Sequence, residues 1–250
     1  MAVRFEPGAW REFQSPPSRC SYILAETASL TWRVCAGLSA AQFQELLRRG
    51  WRRHGCHLFR PACPACVKCR SLRVDVARFR ASKSQRRCLR RNRGVEVLIQ
   101  RPTVTTDHVR LYNAWHADMS SRRGWPFHPA DEADYAESFL LGEWDFAREM
   151  LYVRDRRLIG VGLVDAVDDG LSSVYFYHDP AWRNLGPGTF SILQEIDVCR
   201  RTERPYLYLG YCIAECPSMA YKANFRPHAA LERYVADDEE PEWALQDSNL

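Results

Sequence analysis

The sequence contains no long hydrophobic run. Its longest wholly apolar stretch is LIGVGLV, residues 158–164, whereas a membrane-spanning helix needs about 20 apolar residues. The first thirteen residues, MAVRFEPGAWREF, also lack the apolar core of a secretory signal peptide. These absences predict a soluble cytoplasmic protein with no membrane partner.

Acidic residues are nearly absent from residues 48–93. This segment holds sixteen Lys or Arg and one acid, Asp75, for a net charge of +15, while the rest of the chain carries −11 and the whole +4. Apolar residues make up 46% and charged residues 26%, which is ordinary for a globular protein and argues against disorder. So uneven a distribution predicts a polyanionic partner such as nucleic acid or phosphate. A solvated basic surface is the alternative.

Disulfides are not expected for the ten cysteines, because no export signal accompanies them. Three of them form the pattern Cys63-x-x-Cys66-x-x-Cys69. With a fourth thiolate from Cys20, or else from Cys56, this loop would close a structural zinc site or hold an iron–sulfur cluster. A reduced cysteine loop without metal is an equal alternative. The later cysteines, Cys199, Cys212 and Cys216, are predicted to fill core positions.

The patterning divides the chain into a basic, cysteine-rich α+β unit at 1–100, a second unit at 101–235 and an acidic tail at 236–250 that is expected to be frayed. In the first unit, capping boxes at Ser39–Gln42 and Ser82–Gln85 each predict the start of a helix. The second of these helices carries pairs of cations one turn apart, which repel each other unless something anionic faces them. These cations are Arg86, Arg87, Arg90 and Arg91.

The second unit contains three strand-like segments, at 150–154, 158–167 and 172–178, separated by turn residues. They predict an antiparallel meander. The loop RNLGPG, residues 183–188, then precedes a helix, a strand and a final helix. Glycines and a helix N-terminus suit a bound phosphate. A plain strand-to-helix connection is the alternative.

Two resemblances follow from these motifs. The R-x-x-G-x-G loop, followed by helix, strand and a helix bearing YKANF (221–225), resembles the GNAT acyltransferases. That resemblance implies a mostly antiparallel sheet with flanking helices, a loop at Gly186 and Gly188 that holds phosphate, and Tyr221 near the leaving group. The strings FRPACPAC (59–66), KSQRRCLRRN (83–92) and YLGYCIAECPSMAYKANF (208–225) are similar to the aminoacyl-tRNA–protein transferases.

This closer resemblance extends along nearly the whole chain and is to the short bacterial branch, the aspartate/glutamate leucyltransferases. It implies transfer of leucine from leucyl-tRNA to the N-terminal amine of proteins starting with Asp or Glu, a mark for degradation. Two departures stand out. The family's C-x-x-C pattern is absent at Cys20, which is followed by Ser21, Tyr22 and Ile23. The glycine loop, RNLGPGTFS, is two residues longer than the RSLGTYS form associated with the family.

The reaction implied is aminolysis of an activated ester, which needs no cofactor. His178 and Asp179 are the candidates for handling the amine, with a strand-end cap as the alternative. Tyr221 is the candidate for giving a proton to the leaving ribose oxygen or for positioning the terminal adenosine, with simple packing as the alternative. Phosphate contacts on tRNA are expected from Lys83, Arg86, Arg87, Arg90 and Arg91.

The substrate wall is expected from tyrosines that alternate on two strands, although core packing suits at least half of them. These are Tyr175, Tyr177, Tyr206 and Tyr208, together with Tyr211. An acidic N-terminal residue needs a cationic partner, and the choice among Arg183, Lys222 and Arg226 stays open. The alternatives to the whole reading are an arginyl-tRNA donor, a GNAT acetyltransferase using acetyl-CoA, and a metal-stabilised nucleic-acid-binding module. The sequence does not indicate an oligomeric state.

Overall fold

A computed structural model describes residues 10–246. The helices are α1 (Ala40–Arg48), α2 (Lys83–Arg91), α3 (Thr106–Arg123), α4 (Glu132–Phe139), α5 (Pro187–Arg201) and α6 (Pro217–Ala220). The first eight strands are β1 (Arg11–Gln14), β2 (Ser18–Arg19), β3 (Thr27–Ala28), β4 (Leu30–Val34), β5 (Arg52–His54), β6 (His57–Pro61), β7 (Arg70–Asp75) and β8 (Glu96–Gln100). The others are β9 (Ala147–Arg154), β10 (Arg157–Val167), β11 (Gly170–His178), β12 (Tyr206–Cys212), β13 (His228–Leu231) and β14 (Trp243–Gln246).

An eight-stranded sheet forms the centre of the molecule, in the order β14-β13-β7-β12-β11-β10-β9-β8. All of its neighbouring strands run antiparallel except β11 and β12, which are parallel. Helix α5 packs on β11 and β12 through a row of buried apolar residues, Phe190, Ile192, Leu193, Ile196 and Cys199. The prediction of an α+β fold with a mostly antiparallel sheet and flanking helices is confirmed, as is the β9–β10–β11 meander.

A smaller four-stranded sheet has the order β1-β4-β6-β5. Helix α1 begins at the predicted Ser39 capping box and buries Phe43, Leu46 and Leu47. They cluster with Leu58 of the small sheet and with Trp51, which directly precedes β5. Three fully buried aliphatic or aromatic side chains contribute about 1.5–3 kcal/mol each relative to exposure. This contact therefore fixes the small sheet against α1.

The boundary predicted at residue 100 does not separate two sheets. Strands β7 and β8 both belong to the predicted first unit. Nevertheless, β7 lies between β12 and β13 in the large sheet, and β8 forms its edge beside β9. The alternation of Leu72 and Val74 predicts the strand but not its partners, which lie far away in the sequence. The two predicted units therefore share one sheet.

The acidic tail is also partly ordered. β14 pairs with β13, and Asp237 accepts a hydrogen bond from Arg33 at 3.0 Å. The prediction of a frayed segment is therefore wrong for the paired residues 243–246, and residues 247–250 lie outside the described range. Trp243 packs against Tyr208, with ring centroids 5.8 Å apart, and this contact anchors β14 to the large sheet.

No helix within residues 10–246 is long and apolar enough to cross a membrane.

Candidate functional site

The cationic helix α2 lies directly on the glycine loop. Its capping box at Ser82 and Gln85 is present as predicted. Cys88 faces inward and donates through Sγ to the carbonyl of Gly186 at 3.4 Å, while Arg91 donates to the carbonyl of Asn184 at 2.7 Å. All five predicted cations of this helix are exposed to solvent, namely Lys83, Arg86, Arg87, Arg90 and Arg91.

The residue after α2 completes this contact. Asn92 is fully buried and donates through Nδ2 to the carbonyl of Leu185 at 2.9 Å. Its Oδ1 accepts from Trp182 Nε1 at 2.7 Å. The basic helix and the loop are thus fixed as one surface, although 90 residues separate them in the sequence.

The glycine loop ends at the N-terminus of α5. Gly186 has φ +72°, a left-handed conformation that strains any residue with a Cβ. Pro187 is the first helical residue, and within the described chain no side chain caps this helix. Backbone N–H groups at the start of the 15-residue helix are therefore available to an anion.

Tyr221 lies beside this helix N-terminus. Its hydroxyl is 3.4 Å from the position that a Cβ on Gly188 would occupy. Burial raises the pKa of Tyr221 to about 12, and the negative charges of Glu195 and Cys212 act in the same direction. The hydroxyl therefore keeps its proton at neutral pH and is a donor next to the loop.

His178 and Asp179 differ in their engagement. Burial lowers the pKa of His178, so that its imidazole is neutral near pH 7. Its Nδ1 lies 2.8 Å from the backbone oxygen of Asp179, which leaves Nε2 as the basic nitrogen. The Asp179 carboxylate accepts from the N–H of Ala181 at 2.8 Å and so caps the 3-10 turn Pro180–Leu185. This is the capping alternative of the sequence analysis.

The three candidate cations for an acidic N-terminus are also in different states. Arg183 is paired with Asp118. Lys222 donates to the carbonyls of Leu209 at 2.8 Å and Tyr211 at 2.9 Å, and burial lowers its pKa to about 8. Arg226 is exposed and donates one bond through Nε, to the carbonyl of Ala223 at 3.1 Å.

The predicted tyrosine wall is largely internal. Tyr177 is buried, with its hydroxyl 2.7 Å from that of Tyr135. Tyr208 is buried and donates to Asp169 at 3.0 Å, and buried Tyr211 lies 3.0 Å from two carbonyl oxygens. Tyr175 and Tyr206 are only half-buried. The hydroxyl of Tyr175 lies 3.0 Å from His116 Nε2. Tyr175 and Tyr206 are therefore the wall residues with a partly open surface.

Two buried charges that the sequence analysis missed lie where β11 and β12 diverge. These strands pair only over Gly170–Ser172 and Tyr206–Tyr208. Arg52, from β5, fills the opening beyond them, because it donates to the carbonyl of Ser173 and its guanidinium carbon lies 3.0 Å from where a Cβ of Gly210 would be.

Glu195 of α5 faces the same opening. It accepts from Ser191 Oγ at 3.0 Å, and burial raises its pKa to about 7. Among residues 10–246, neither Glu195 Oε2 nor Arg52 Nη1 has a hydrogen-bond partner. A buried carboxyl group with a raised pKa, near a guanidinium that has one unsatisfied nitrogen, is typical of functional sites. The only sequence signal was one acid on the apolar face of a helix.

The cysteines named as metal ligands do not form a closed site as they stand. Cys20 Sγ accepts from the N–H groups of Tyr22 and Ile23 at 3.4 Å, whereas Cys63 donates to the carbonyl of Ser29 at 3.6 Å. Burial and the neighbouring thiols of Cys63, Cys20 and Cys66 raise the pKa of Cys69 to about 12. Between Trp10 and Gln246, no three Cys, His, Asp or Glu residues converge as a metal requires. The four-cysteine metal site therefore stays a prediction, and no step of the proposed chemistry depends on it.

Comparison with known proteins places both halves of the chain. The family described as "Arginine-tRNA-protein transferase, N terminus" matches residues 18–87, and "Arginine-tRNA-protein transferase, C terminus" matches residues 107–232. The curated aspartate/glutamate leucyltransferase of Helicobacter hepaticus is 35% identical over 94% of this chain and 97% of its own length. That of Alkalilimnicola ehrlichii is 40% identical over 84% and 87%.

Among solved structures, FemX covers 81% of this chain and 79% of its own, with 9% identity and a TM-score of 0.45, a likeness too distant to carry an argument. The sequence matches are of a different strength, because they extend over nearly the whole length of the relatives. The chain is a member of the arginine-tRNA–protein transferase family.

Proposed function

We propose that the protein transfers leucine from leucyl-tRNA to the N-terminal α-amine of proteins that start with Asp or Glu, and so marks them for degradation in the cytoplasm. The observation that carries this proposal is the docking of α2 on the glycine loop through Cys88, Arg91 and Asn92. The docking sets five exposed cations beside the free N–H groups of α5. A tRNA presents phosphates that such a surface neutralises without reading sequence.

The proposed chemistry is ester aminolysis. The neutral amine attacks the carbonyl carbon of the leucyl ester, an amide bond forms, the ester C–O bond breaks, and the ribose oxygen takes a proton. An N-terminal amine has a pKa of about 7.7–8.0, so a good fraction is already neutral at pH 7. Alignment of the two substrates supplies most of the acceleration, and the reaction needs no cofactor.

Two side chains fit the proton transfers. We assign Tyr221 as the donor to the ribose oxygen, since its high pKa keeps it protonated and its hydroxyl lies beside Gly188. We assign Nε2 of His178 as the acceptor of the amine proton, since burial keeps this imidazole neutral and Nδ1 is already engaged. Asp179 contributes by holding the turn that follows.

For the acidic residue of the acceptor, we propose Arg226. Arg183 and Lys222 are satisfied within the protein, whereas the guanidinium of Arg226 is exposed with one backbone bond. A carboxylate paired with arginine is the stronger, bidentate kind of contact. We also propose that the large sheet has a GNAT-like fold. Its parallel strands β11 and β12 separate beyond their short paired region, beside the glycine loop, and leave an opening that suits an acyl-binding cleft.

The test offers the purified protein leucyl-tRNA or arginyl-tRNA, labelled in the amino acid, with peptides that differ only in residue 1. Label on Asp and Glu peptides from leucyl-tRNA, and little on an Ala peptide, is expected. Label transferred only from arginyl-tRNA would show that the proposed donor is wrong, while the assignment as an aminoacyl-tRNA–protein transferase would stand. No label from either donor would overturn the proposal.

A further inference from the structure

One face of the small sheet carries a row of aromatic side chains that residues 10–246 leave partly open to solvent. Phe13 of β1 lies directly opposite Trp32 of β4, which lies opposite Phe59 of β6. The next row on the same face pairs His57 with His54. Directly paired residues in antiparallel strands project to one side of the sheet. These five side chains, the aromatic face, line an open cavity of about 530 Å³.

The rings of this face are arranged for contact and are still accessible. Trp32 and Phe59 have centroids 5.3 Å apart, and Trp32 meets His57 edge-on at 6.0 Å. Phe13 keeps 47% of its surface exposed. A soluble protein rarely leaves such a cluster open unless something binds it.

The aromatic face is neutral or cationic. Burial and the nearby charge of Arg53 lower the pKa of His54 to about 4, so its ring is uncharged at neutral pH. Exposed Arg11 stands on the same face, two residues before Phe13, while Glu12 projects to the other side and pairs with Arg33. Among the paired residues of β1, β4, β6 and β5, this face carries no carboxylate.

Its inner edge adjoins the opening between β11 and β12. The ring of His54 lies 6.3 Å from that of Tyr175, and the ring of Phe59 lies 6.1 Å from that of Tyr211. Arg52, opposite Phe59 in the same row, is the residue that donates to Ser173 inside the opening. The aromatic face is therefore continuous with the cleft in which the acyl group would be transferred.

We propose that the aromatic face stacks the unpaired nucleotides at the 3′ end of the donor tRNA and so guides the ester into the cleft. This inference rests on the proposed function. Proteins that bind single-stranded nucleic acids, with or without sequence preference, use aromatic side chains on a sheet surface, because every base has a flat π-face that can stack on a ring. Exposed Arg11 supplies a partner for the connecting phosphate. An acidic acceptor residue fits this site less well, because the centre of the aromatic face carries no positive charge. A single leucyl side chain also fits less well, because the volume of the cavity is larger than one aliphatic side chain.

The test measures binding of the full chain to two uncharged tRNAs, one intact and one lacking its four unpaired 3′ nucleotides. Stacking on one base is worth about 1–3 kcal/mol, so we expect the wild type to prefer the intact tRNA by tenfold or more. Trp32→Leu and Phe13→Ala should reduce this preference to about threefold or less. Affinity for the shortened tRNA and the salt dependence should stay unchanged, because the cations of α2 supply them.

Leu98→Ala is the matched control, since Leu98 is 52% exposed on strand β8 of the other sheet; its preference should equal that of the wild type. If both aromatic variants keep the full preference, the inference is wrong. It is equally wrong if they raise the KM for the acceptor peptide and leave the tRNA preference intact, which would make this a peptide site. Should Trp32→Leu unfold the sheet, half-exposed Phe13→Ala decides alone.

Leucine transfer is measured in parallel with the same preparations. A wild type that transfers leucine without a preference for the intact 3′ end refutes this inference alone. If the wild type prefers the intact 3′ end but transfers no leucine, the proposed function is refuted, whereas the assignment of the aromatic face as a tRNA-binding surface is supported.

Discussion

The arginines of the basic segment include a solvent-facing population and a buried one, which the charge count treats as equal. Those of α2 face solvent, whereas Arg49, Arg52 and Arg53 are at most 7% exposed. Arg53 makes two bonds to Asp165, of 2.6 and 3.0 Å, and stacks over Trp144. Arg52 and Arg53 hold the small sheet to the large one through Ser173 and Asp165, whereas the exposed arginines of α2 are accessible to an anion.

This difference shows why a net charge of +15 overstates the charge of the surface. A buried ion pair contributes no field to a distant phosphate, since its charges cancel at close range. Its removal leaves an unpaired charge in the interior instead. Substitutions in the two populations should therefore separate stability from tRNA binding, and the predictions below test that separation.

The largest effect is expected from Arg53→Met. The side chain of Asp165 is fully buried and that of Arg53 is 4% exposed, so the variant leaves a carboxylate without its partner. We expect a loss of about 3–5 kcal/mol in the free energy of unfolding, measured by urea denaturation. The double variant Arg53→Met, Asp165→Asn should be less damaged than the single one. Arg87→Ala, the exposed counterpart, should stay within about 0.5 kcal/mol. If Arg53→Met lowers the free energy of unfolding no more than Arg87→Ala does, the buried and exposed arginines do not differ in their contribution to stability, and this account of the two populations is wrong.

Glu195→Gln tests the buried opening through pH. The folded-state pKa of Glu195 is raised from 4.5 to about 7, so the folded state holds this proton more tightly than the unfolded chain. The cost of the charge is absent below about pH 4.5 and grows as the pH rises to about 7. Wild-type stability should therefore fall relative to Glu195→Gln across that window, by on the order of 3 kcal/mol. Parallel pH profiles for the two proteins would show that this carboxyl titrates normally.

The exposed population is tested by replacing Arg86, Arg87, Arg90 and Arg91 with Ala. Each lost phosphate contact lowers the slope of log K against log salt by about 0.7–0.9, so four contacts lower it by about 3. We expect tRNA affinity at low salt to fall by about one to two orders of magnitude in a filter-binding assay. The unfolding free energy should fall by no more than about 0.5–1.5 kcal/mol, the contribution of the hydrogen bond from Arg91 to Asn184. An unchanged salt slope would remove α2 from the tRNA surface.

A smaller effect is expected from Arg226→Ala, an exposed cation outside the basic segment. If its guanidinium binds the acidic residue of the acceptor, the KM for an Asp peptide should rise about tenfold, since a charge-assisted hydrogen bond is worth about 1.5–3 kcal/mol. The KM for leucyl-tRNA should not move. Arg226→Lys, which keeps the charge but loses the fork, should recover part of the loss. Equal KM values for wild type and Arg226→Ala would return the choice to Arg183 or Lys222.

How far the sequence predicts the structure depends on the distance along the chain. The capping boxes at Ser39 and Ser82 and the meander depend on neighbouring residues, and all are present. The position of β7 between β12 and β13 depends on residues more than 130 positions away, and periodicity does not reveal such partners.

The same limit applies to the site. Exposure of the α2 cations was predictable, because nothing apolar lies on their side of the helix. The burial of Arg52 beside Glu195 was not, because an arginine in a basic run and one acid in a helix look like surface residues until the fold joins them. Tyr208 and Tyr211 show the converse, since alternating aromatics on a strand suit a wall or a core equally, and here the core holds both.

The central claim is that α2 and the glycine loop form one surface that carries the donor tRNA to the transfer site. Its most direct test is the kcat/KM for leucyl-tRNA of the fourfold α2 variant against Arg201→Ala, an exposed arginine at the far end of α5. The account predicts a fall of about tenfold or more for the α2 variant, through KM, and wild-type values for Arg201→Ala. Equal kcat/KM values for the two variants would contradict it.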